Sequence, residues 1–284
     1  MSNKILIPVD FSDVSHNALE YGVAFAESIG ADVTLFHSVS YPGADPLAPA
    51  YDHSATVAQS ELINQREDVA RKNMQEQVDQ LKQRESLKGS IDYVVAVGFP
   101  VDEIIRVTDE NDYSSVVMGT KGESNFEDTI LGSITSNVIR KSNKPVLAVP
   151  EGTSFNGINN VAFATNYDEG DKDAVHKLLD ITKNFPDAQI KALHVRAEDE
   201  NDEENANQLK EMIKNEPYGD RVALDSIESD DVEEGINQYI EENNVDIVAM
   251  LMRNMGFIRR MFDPSLTRKM AFHTNVPLLV FHHK

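Results

Sequence analysis

The most constraining feature of this sequence is that it contains the same pattern twice. A short apolar run that ends in a polar residue and an aromatic one occurs at 4–11 and again at 160–167. In both places a helical pattern follows, and then a second apolar run with a histidine near its end, His37 or His194. The matching segments are 4–11 with 160–167, 33–39 with 190–195, 101–105 with 232–236, 115–118 with 246–249, and 142–149 with 274–281. Self-similarity over this length predicts two domains of one fold.

Each copy contains five strand-like runs that alternate with four helical patterns. The strand-like runs are short and apolar throughout, as is typical of strands buried on both faces of a sheet. This alternation predicts an α/β fold of two tandem, doubly wound domains, each with a five-stranded parallel sheet. We place the domains at 1–151 and 158–284, because the segment 150–157 between them is rich in Gly, Ser and Asn.

Composition excludes several classes of function. The chain has 26 Lys and Arg against 48 Asp and Glu, a formal charge of −22, so we expect neither nucleic acid nor an acidic membrane as a partner. Cysteine is absent, which removes disulfides, thiol nucleophiles, zinc–thiolate sites and iron–sulfur clusters. The sequence begins without a stretch of signal-peptide type and has no long uncharged span, which predicts a cytoplasmic protein.

Three segments depart from the regular pattern. The segment 41–56 contains three prolines and is expected to be a surface loop, whereas 57–87 has the apolar periodicity of a long helix. The acidic run 198–205 lacks the glycine and glutamate spacing of a calcium-binding loop. We interpret that run as a solvated loop.

The most informative motif lies near the end of the first copy. Gly119 and Gly122 follow a predicted strand, and Gly132 and Ser133 open the next predicted helix, with Thr135 one residue further on. Ligands of open α/β sheets bind at such strand ends, where glycines let a phosphate approach the backbone and a helix start attracts the anion. The hydroxyls of Ser133 and Thr135 are expected as additional donors. The alternative is that the glycines only shape a turn and Ser133 only caps the helix.

This spacing, G-x2-G-x9-G-[S/T] after the fourth strand, resembles that of nucleotide-binding members of the universal stress protein family. The segments 8–12, 37–39 and 97–100 add to the resemblance, which covers nearly all of both copies. It implies a fold of the universal stress protein type, which is similar to that of the adenine nucleotide alpha hydrolases. It also implies ATP, with Mg²⁺ carried by the nucleotide, as the ligand of the first copy.

The resemblance assigns roles to individual residues. Asp10 is expected on the adenosine side of the nucleotide or near its Mg²⁺, and the backbone of Val39 is expected to hydrogen-bond the adenine. The implied nucleotide-binding residues are Pro8, Val9, Asp10, Ser12, Val39, Met118, Gly119, Lys121, Gly122, Gly132, Ser133, Ile134 and Thr135. Acidic side chains at 123, 127 and 128 would repel a triphosphate unless they point away or hold Mg²⁺.

The second copy lacks the glycine motif. Aligning the apolar runs places Met250 opposite Gly119, Arg253 opposite Gly122 and Pro264 opposite Gly132, in a loop one residue longer, with Asn166 in place of Asp10. We therefore do not expect this copy to bind ATP in the family manner. Its loop, Arg253–Asp263, is basic and apolar, which fits either a surface for an unknown protein partner or an acidic apolar ligand, or else a plug in the emptied cleft.

Catalytic motifs of the common kinds are missing. The sequence has no nucleophile elbow, no Walker A lysine and no H-E-x-x-H. The leading interpretation is a stress-response protein that binds ATP as a regulatory ligand. A weak ATPase that uses the same site, and a nucleotide-free interaction or chaperone-like protein, remain as alternatives.

The last strand of each copy predicts how the copies are joined. In this topology the fifth strand lies at a sheet edge, where free N–H and C=O groups invite pairing. Dimers of the family pair through that strand, and the resemblance implies the same pairing within one chain, about a pseudo-two-fold axis. The alternative is two independent domains on a flexible linker, and a homodimer through other surfaces stays open.

Overall fold

The computed structural model describes residues 3–41, 53–84, 86, 88–120, 132–167, 170–196, 203–214, 216–252 and 276–282. The strands of the first half are β1 (Lys4–Pro8), β2 (Asp32–Val39), β3 (Ile91–Val97), β4 (Ser115–Gly119) and β5 (Val146–Val149). Its helices are α1 (Asp13–Ile29), α2 (His53–Leu81), α3 (Pro100–Glu110) and α4 (Ser133–Lys141). The second half has β6 (Asn160–Ala164), β7 (Gln189–Arg196), β8 (Val222–Glu228), β9 (Ile247–Met252), β10 (Leu278–His282), α5 (Asp171–Thr182), α6 (Glu203–Ile213) and α7 (Val232–Asn243).

Local chemistry explains where these elements begin and end. The central residues of β1 are fully buried and every residue of β4 is buried, as the apolar runs predicted. Helix α1 begins after Ser12, whose hydroxyl accepts the backbone N–H of Ser15, and it ends at Gly30, which has a φ of +63°.

All ten strands belong to one sheet, in the order β3-β2-β1-β4-β5-β10-β9-β6-β7-β8. The five strands of each half run parallel to one another, so the predicted α/β fold is confirmed. In the first half the chain winds from β1 outward to β3 and returns on the other side of β1 with β4. The β1–β4 crevice is therefore the topological switch point at which ligands of this fold bind.

The two halves join through their last strands. Strands β5 and β10 are antiparallel, and Leu147 lies opposite Leu279 at the centre of the pairing. The carbonyls of Pro145 and Val149 accept hydrogen bonds from the β4 side. Backbone groups point to alternate sides along a strand, so those of residues 146 and 148 face β10. Leu147 and Leu279 thus form a pair without mutual hydrogen bonds, close to the pseudo-two-fold axis. The expected pairing within one chain is present.

The linker between the halves adds an aromatic contact. The ring of Phe155 packs edge-on against Tyr21 and Phe25 of α1, with centroids 5.3 and 5.8 Å away, and against Phe185 of the second half at 6.1 Å. At another point of the join, Nε2 of His282 donates a hydrogen bond to the Ile139 carbonyl over 2.5 Å. The halves therefore share a continuous core.

Helices cover both faces of the sheet. In the first half α1 and α2 pack on one face, while α3 and α4 pack on the other. The helix expected at 57–87 runs from His53 to Leu81, so it begins earlier and ends earlier than predicted. Two expected loops are partly helical: residues 53–56 begin α2, and residues 203–205 of the acidic run begin α6, so the loop interpretation is wrong there. Residues 42–52, 198–202 and the fourth helical pattern of the second half lie outside the described residues. Among the helices that are described, none combines the length and apolar character needed to cross a bilayer.

Candidate functional site

A small cavity of about 90 Å³ lies at the carboxyl ends of β1 and β4, at the switch point of the first half. Seven of the residues that the resemblance assigned to the nucleotide line it, namely Pro8, Val9, Asp10, Met118, Gly119, Ile134 and Thr135. The cavity walls also include six residues that the resemblance did not assign to the nucleotide, namely Ser15, Phe36, His37, Ser38, Pro100 and Ile104. The cavity therefore contains part of the expected set, and the assignment of these residues to a nucleotide stays a prediction.

The turn after β1 positions Asp10. Its Oδ1 accepts hydrogen bonds from the backbone N–H of Ser12, at 3.1 Å, and from the Ser12 hydroxyl, at 2.5 Å. Its own N–H donates to the Ser15 hydroxyl at 3.2 Å. Ser12 does not line the cavity, so within the described structure it orients Asp10 and caps α1. Asp10 is exposed, and its second carboxylate oxygen accepts no hydrogen bond from the residues that the structure describes.

Thr135 connects α4 to the end of β4. Its buried hydroxyl donates to the Gly119 carbonyl at 2.7 Å. Since a hydroxyl has one hydrogen, donation to a phosphate, as expected from the sequence, would require this bond to break. Gly119 is buried within β4, paired with Val149, and its φ is not positive, so it contributes the absence of a side chain and not an unusual backbone conformation.

The start of α4 has no side-chain cap. Gly132 occupies the N-cap position in an extended conformation and donates its own N–H to the Thr120 carbonyl. The backbone N–H groups of Ser133, Ile134 and Thr135 therefore form the first turn without a capping side chain. Such a helix start attracts anions through its free donors and its dipole.

Val39 follows Ser38, which lines the small cavity, but does not line that cavity itself. Its carbonyl accepts the N–H of Gly98 at 3.0 Å, and the neighbouring Ser38 hydroxyl donates to the Gly98 carbonyl at 2.8 Å. A bond from the Val39 carbonyl to adenine would use the second lone pair of that oxygen. Val39 lines an adjoining, larger cavity instead of the small one.

Several predicted features fall outside the described residues. These are Lys121, Gly122, the acidic positions 123, 127 and 128, and the Arg253–Asp263 loop of the second half. In the described parts of the chain, no group of three or more acidic or histidine side chains is arranged to hold a metal ion. Among the lining residues that the structure describes, Asp10 carries the one carboxylate, an oxygen ligand of the kind that Mg²⁺ prefers.

Hydrogen bonds correct the alignment of the two halves by one residue. The Val116 N–H binds the Pro145 carbonyl in the first half, and the Val248 N–H binds the Pro277 carbonyl in the second. Counting from these equivalent bonds places Leu251, not Met250, at the position of Gly119. Asn254, not Arg253, then corresponds to Gly122, while Pro264 still corresponds to Gly132, so the second loop is not longer than the first.

A buried carboxyl marks the second half. Asp171 stands at the position of Ser15 and is 1% exposed, and its Oδ2 accepts the Thr165 hydroxyl at 2.5 Å. Burial raises the pKa of Asp171 to about 6, although the hydrogen bond from Thr165 acts in the opposite direction. Sequence reasoning missed this residue, because its role depends on the equivalence with Ser15 and not on a motif.

Parallel strands, flanking helices and a crevice at the switch point place the chain in the doubly wound α/β class with a ligand-type site at the strand ends. A family model described as the universal stress protein family matches residues 1–150 and again 157–282. The chain therefore belongs to the universal stress protein family and carries its domain twice.

Individual relatives agree with this assignment. A universal stress protein of Methanocaldococcus jannaschii is 31% identical over 162 residues, which are 54% of this chain and 98% of the relative. A second one from that organism is 29% identical over 146 residues, 51% of this chain and 81% of the relative. A solved universal stress protein from Archaeoglobus fulgidus shares the fold over 100% of this chain and 97% of its own, with a TM-score of 0.71 at 20% identity.

Proposed function

We propose that the first domain binds ATP at the β1–β4 crevice and that this nucleotide regulates a cytoplasmic stress-response protein. The observation that carries the proposal is the cavity at the switch point, which combines an apolar wall, a free carboxylate oxygen on Asp10 and an uncapped helix start at α4. An adenine nucleotide has an apolar base, ribose hydroxyls and anionic phosphates. Those three chemistries match the three parts of the site. Because the crevice of about 90 Å³ is too small for a whole nucleotide, the adenine would extend into the adjoining cavity of about 510 Å³, which Val39 lines.

The residues of the crevice fit a nucleotide that brings its own Mg²⁺. Among the described lining residues the only formal charge is that of Asp10, and a carboxylate near a triphosphate is repulsive unless it meets a donor or a cation. Its second oxygen either accepts a ribose hydroxyl or ligates the Mg²⁺, which neutralises phosphate charge when bound. The α4 backbone donors would then hold the phosphates.

Regulation requires only that ATP favour one arrangement of the chain over another. The Thr135–Gly119 hydrogen bond ties the α4 start to β4, so a ligand that binds both elements acts on the 120–132 connection between them. In the second half Leu251 takes the place of Gly119 and Asn166 that of Asp10. We therefore assign nucleotide binding to the first half and a partner role to the second.

The first test uses the absence of tryptophan. With only eight tyrosines absorbing at 280 nm, a bound adenine is conspicuous at 260 nm in the purified protein or in the supernatant after heat release. Calorimetry with Mg-ATP, ADP, AMP, cyclic AMP and GTP then identifies the preferred ligand. No released nucleotide and no heat with Mg-ATP would refute the proposal, and phosphate release measured alongside decides whether ATP is hydrolysed.

A negative charge at the start of α4 tests whether phosphates bind there. Ile134 is 37% exposed at the α4 start, so Ile134→Glu should fold normally and repel phosphate, weakening ATP binding at least about tenfold. Val232→Glu is the control, because Val232 is 43% exposed at the first position of α7 in the other half. Equal losses from both variants would place the site elsewhere.

A further inference from the structure

Only the second part of helix α2 packs into the core. Its described side chains that are buried in the core all lie between residues 70 and 81, and they are Ala70, Met74, Val78 and Leu81. By contrast, no side chain between residues 59 and 69 is buried. That segment spans about 16 Å of helix. The described core therefore does little to hold it in place.

One face of this weakly packed segment lines the larger cavity of about 510 Å³. The lining residues of α2 are Leu62, Gln65, Arg66, Val69, Ala70 and Asn73. Their spacing is that of neighbouring turns, so all of them lie on one side of the helix. We call this face the α2 stripe. It forms the wall of the cavity that lies across from the end of β2.

The opposite wall consists of the end of β2 and the turn after β1. The ring of Phe11 packs on that of His37 with centroids 4.6 Å apart, and Nδ1 of His37 is hydrogen-bonded to the Val9 carbonyl at 2.8 Å. Val39 lies on the same wall. His37 and Ser38 also border the β1–β4 crevice, so the two cavities adjoin at this point. A nucleotide with its phosphates in the crevice therefore has its base opposite the α2 stripe.

The α2 stripe has the chemistry of a wall for a purine base. Leu62 and Val69 are 39% and 59% exposed, so both apolar side chains have surface left to bury against the face of a ring. Gln65 and Asn73 carry amides, which donate and accept hydrogen bonds at once. The edge of adenine presents an amino donor beside a ring-nitrogen acceptor, which is the pattern that an amide matches.

We propose that the α2 stripe binds the adenine of the nucleotide and that the base thereby fixes the first part of α2. This inference rests on the proposed function and extends it by naming the element on which the base acts. Leu62 and Val69 contact the base, and Gln65 hydrogen-bonds its edge. The phosphates act on the 120–132 connection, whereas the base acts on 59–69. Because this segment gains packing from the ligand, it is more ordered when ATP is bound, and its outer face can report occupancy to a partner.

Hydrogen exchange on the full chain measures this order directly. Mg-ATP at ten times its dissociation constant or more should slow amide exchange in 59–69 about tenfold, since opening the segment then requires release of the base. Helix α6, which lies in the other half, is the control and should exchange at the same rate with and without nucleotide. Unchanged exchange in 59–69, in protein that calorimetry shows to be saturated, would overturn the proposal.

Substitutions on the stripe test its contacts. Leu62→Gln combined with Val69→Gln removes apolar surface without adding charge, so the affinity for Mg-ATP should fall at least about tenfold. The melting temperature should not change, because both side chains are exposed. The apolar replacements Leu62→Met and Val69→Ile together should retain the wild-type affinity. Val232→Gln, at an exposed position of α7 in the other half, should also retain it.

The outcomes separate this inference from the proposed function. If the wild type gives no heat with Mg-ATP, ATP binding itself is refuted and the role of α2 is refuted with it. If the wild type binds Mg-ATP and the variant with glutamine at both positions binds it equally well, the base lies elsewhere. In that case only the role of α2 is overturned, and ATP binding at the crevice stands.

Discussion

At the scale of single residues, the two halves share a strand-end unit that involves strained backbone. Phe11 and Tyr167 both have positive φ, +64° and +59°, although neither is a glycine. Each ring packs on the histidine of the neighbouring strand, at 4.6 and 4.9 Å, and each histidine binds a carbonyl at the end of the preceding strand. The sequence showed the aromatic and the histidine of both copies but not their contact, because the contact depends on a backbone conformation that neither residue type favours.

Asp10→Asn tests the role of the carboxylate in the crevice. The change keeps the shape and gives the first half the residue that the second half has at position 166. We expect Mg-ATP binding to weaken about tenfold, because a charge-assisted contact is lost. Calorimetry with and without Mg²⁺ measures this, with Asp13→Asn, an exposed change in the first turn of α1, as the control. An unchanged affinity in Asp10→Asn would remove Asp10 from the site.

Asp171→Asn tests the buried carboxyl. Its folded-state pKa of about 6 lies above the ordinary value of 3.8, so the native state holds the proton more tightly than the unfolded state does. The free energy of unfolding should therefore fall as pH rises from about 4 to about 6, by up to about 3 kcal/mol in total from this group. Burial dominates the hydrogen bond from Thr165 in setting this direction.

Urea unfolding at pH 4.5 and pH 7.5 measures the effect. Asp171→Asn should gain stability relative to wild type at the higher pH and not at the lower one. Asp173→Asn, which changes an exposed carboxylate in the same helical turn, should show no such difference. A pH-independent difference between Asp171→Asn and wild type would contradict the assignment.

At the scale of elements, the glycine motif predicted where α4 begins but not how it is held. The motif predicted the end of a strand and the start of a helix. Gly119 is the last residue of β4, and Gly132 is the N-cap residue of α4. The alignment of β9 with β4 from the sequence was wrong by one residue. All six residues of that strand are apolar, so shifting it by one position leaves the pattern unchanged, and only the hydrogen bonds to Pro277 and Asn160 fix it.

Thr135→Val tests the link between α4 and β4. The change removes the hydrogen bond to the Gly119 carbonyl while keeping the volume, so we expect a loss of about 1–2 kcal/mol in the free energy of unfolding. ATP binding should also weaken severalfold, since the helix start is no longer tied to the strand. Thr182→Val is the control, because that buried hydroxyl binds only carbonyls of its own helix, at Leu178 and Leu179. If the two variants affect ATP affinity equally, the link has no role in the site.

At the scale of the whole molecule, one sheet crosses both domains. The pairing of β5 with β10 was predicted because the last strand of each copy lies at an edge that needs a partner. The role of Phe155 was not predicted, since a lone aromatic in a Gly/Ser/Asn-rich linker gives no sign of the rings it will meet.

A double-mutant cycle tests the join. Leu147→Ala and Leu279→Ala should each lower the free energy of unfolding by about 2–4 kcal/mol, because both side chains are buried and lie opposite each other. Their effects should differ from additivity by more than about 0.5 kcal/mol, as expected for residues in contact. Leu147→Ala combined with Leu193→Ala, a buried change in β7, should be additive. Additivity in the first pair would show that these two side chains do not stabilise each other across the join.

The antiparallel join has a genetic consequence. In a dimer of identical chains every mutation appears in both copies, so the two clefts always have the same residues. Here the symmetric arrangement is encoded in one reading frame, and a codon change at Gly119 or Ser15 leaves Leu251 and Asp171 as they are. The strands of the two halves run in opposite directions, so their carboxyl ends, where the clefts lie, point to opposite sides of the molecule. Selection can therefore change the residues of one cleft while those of the other cleft stay the same.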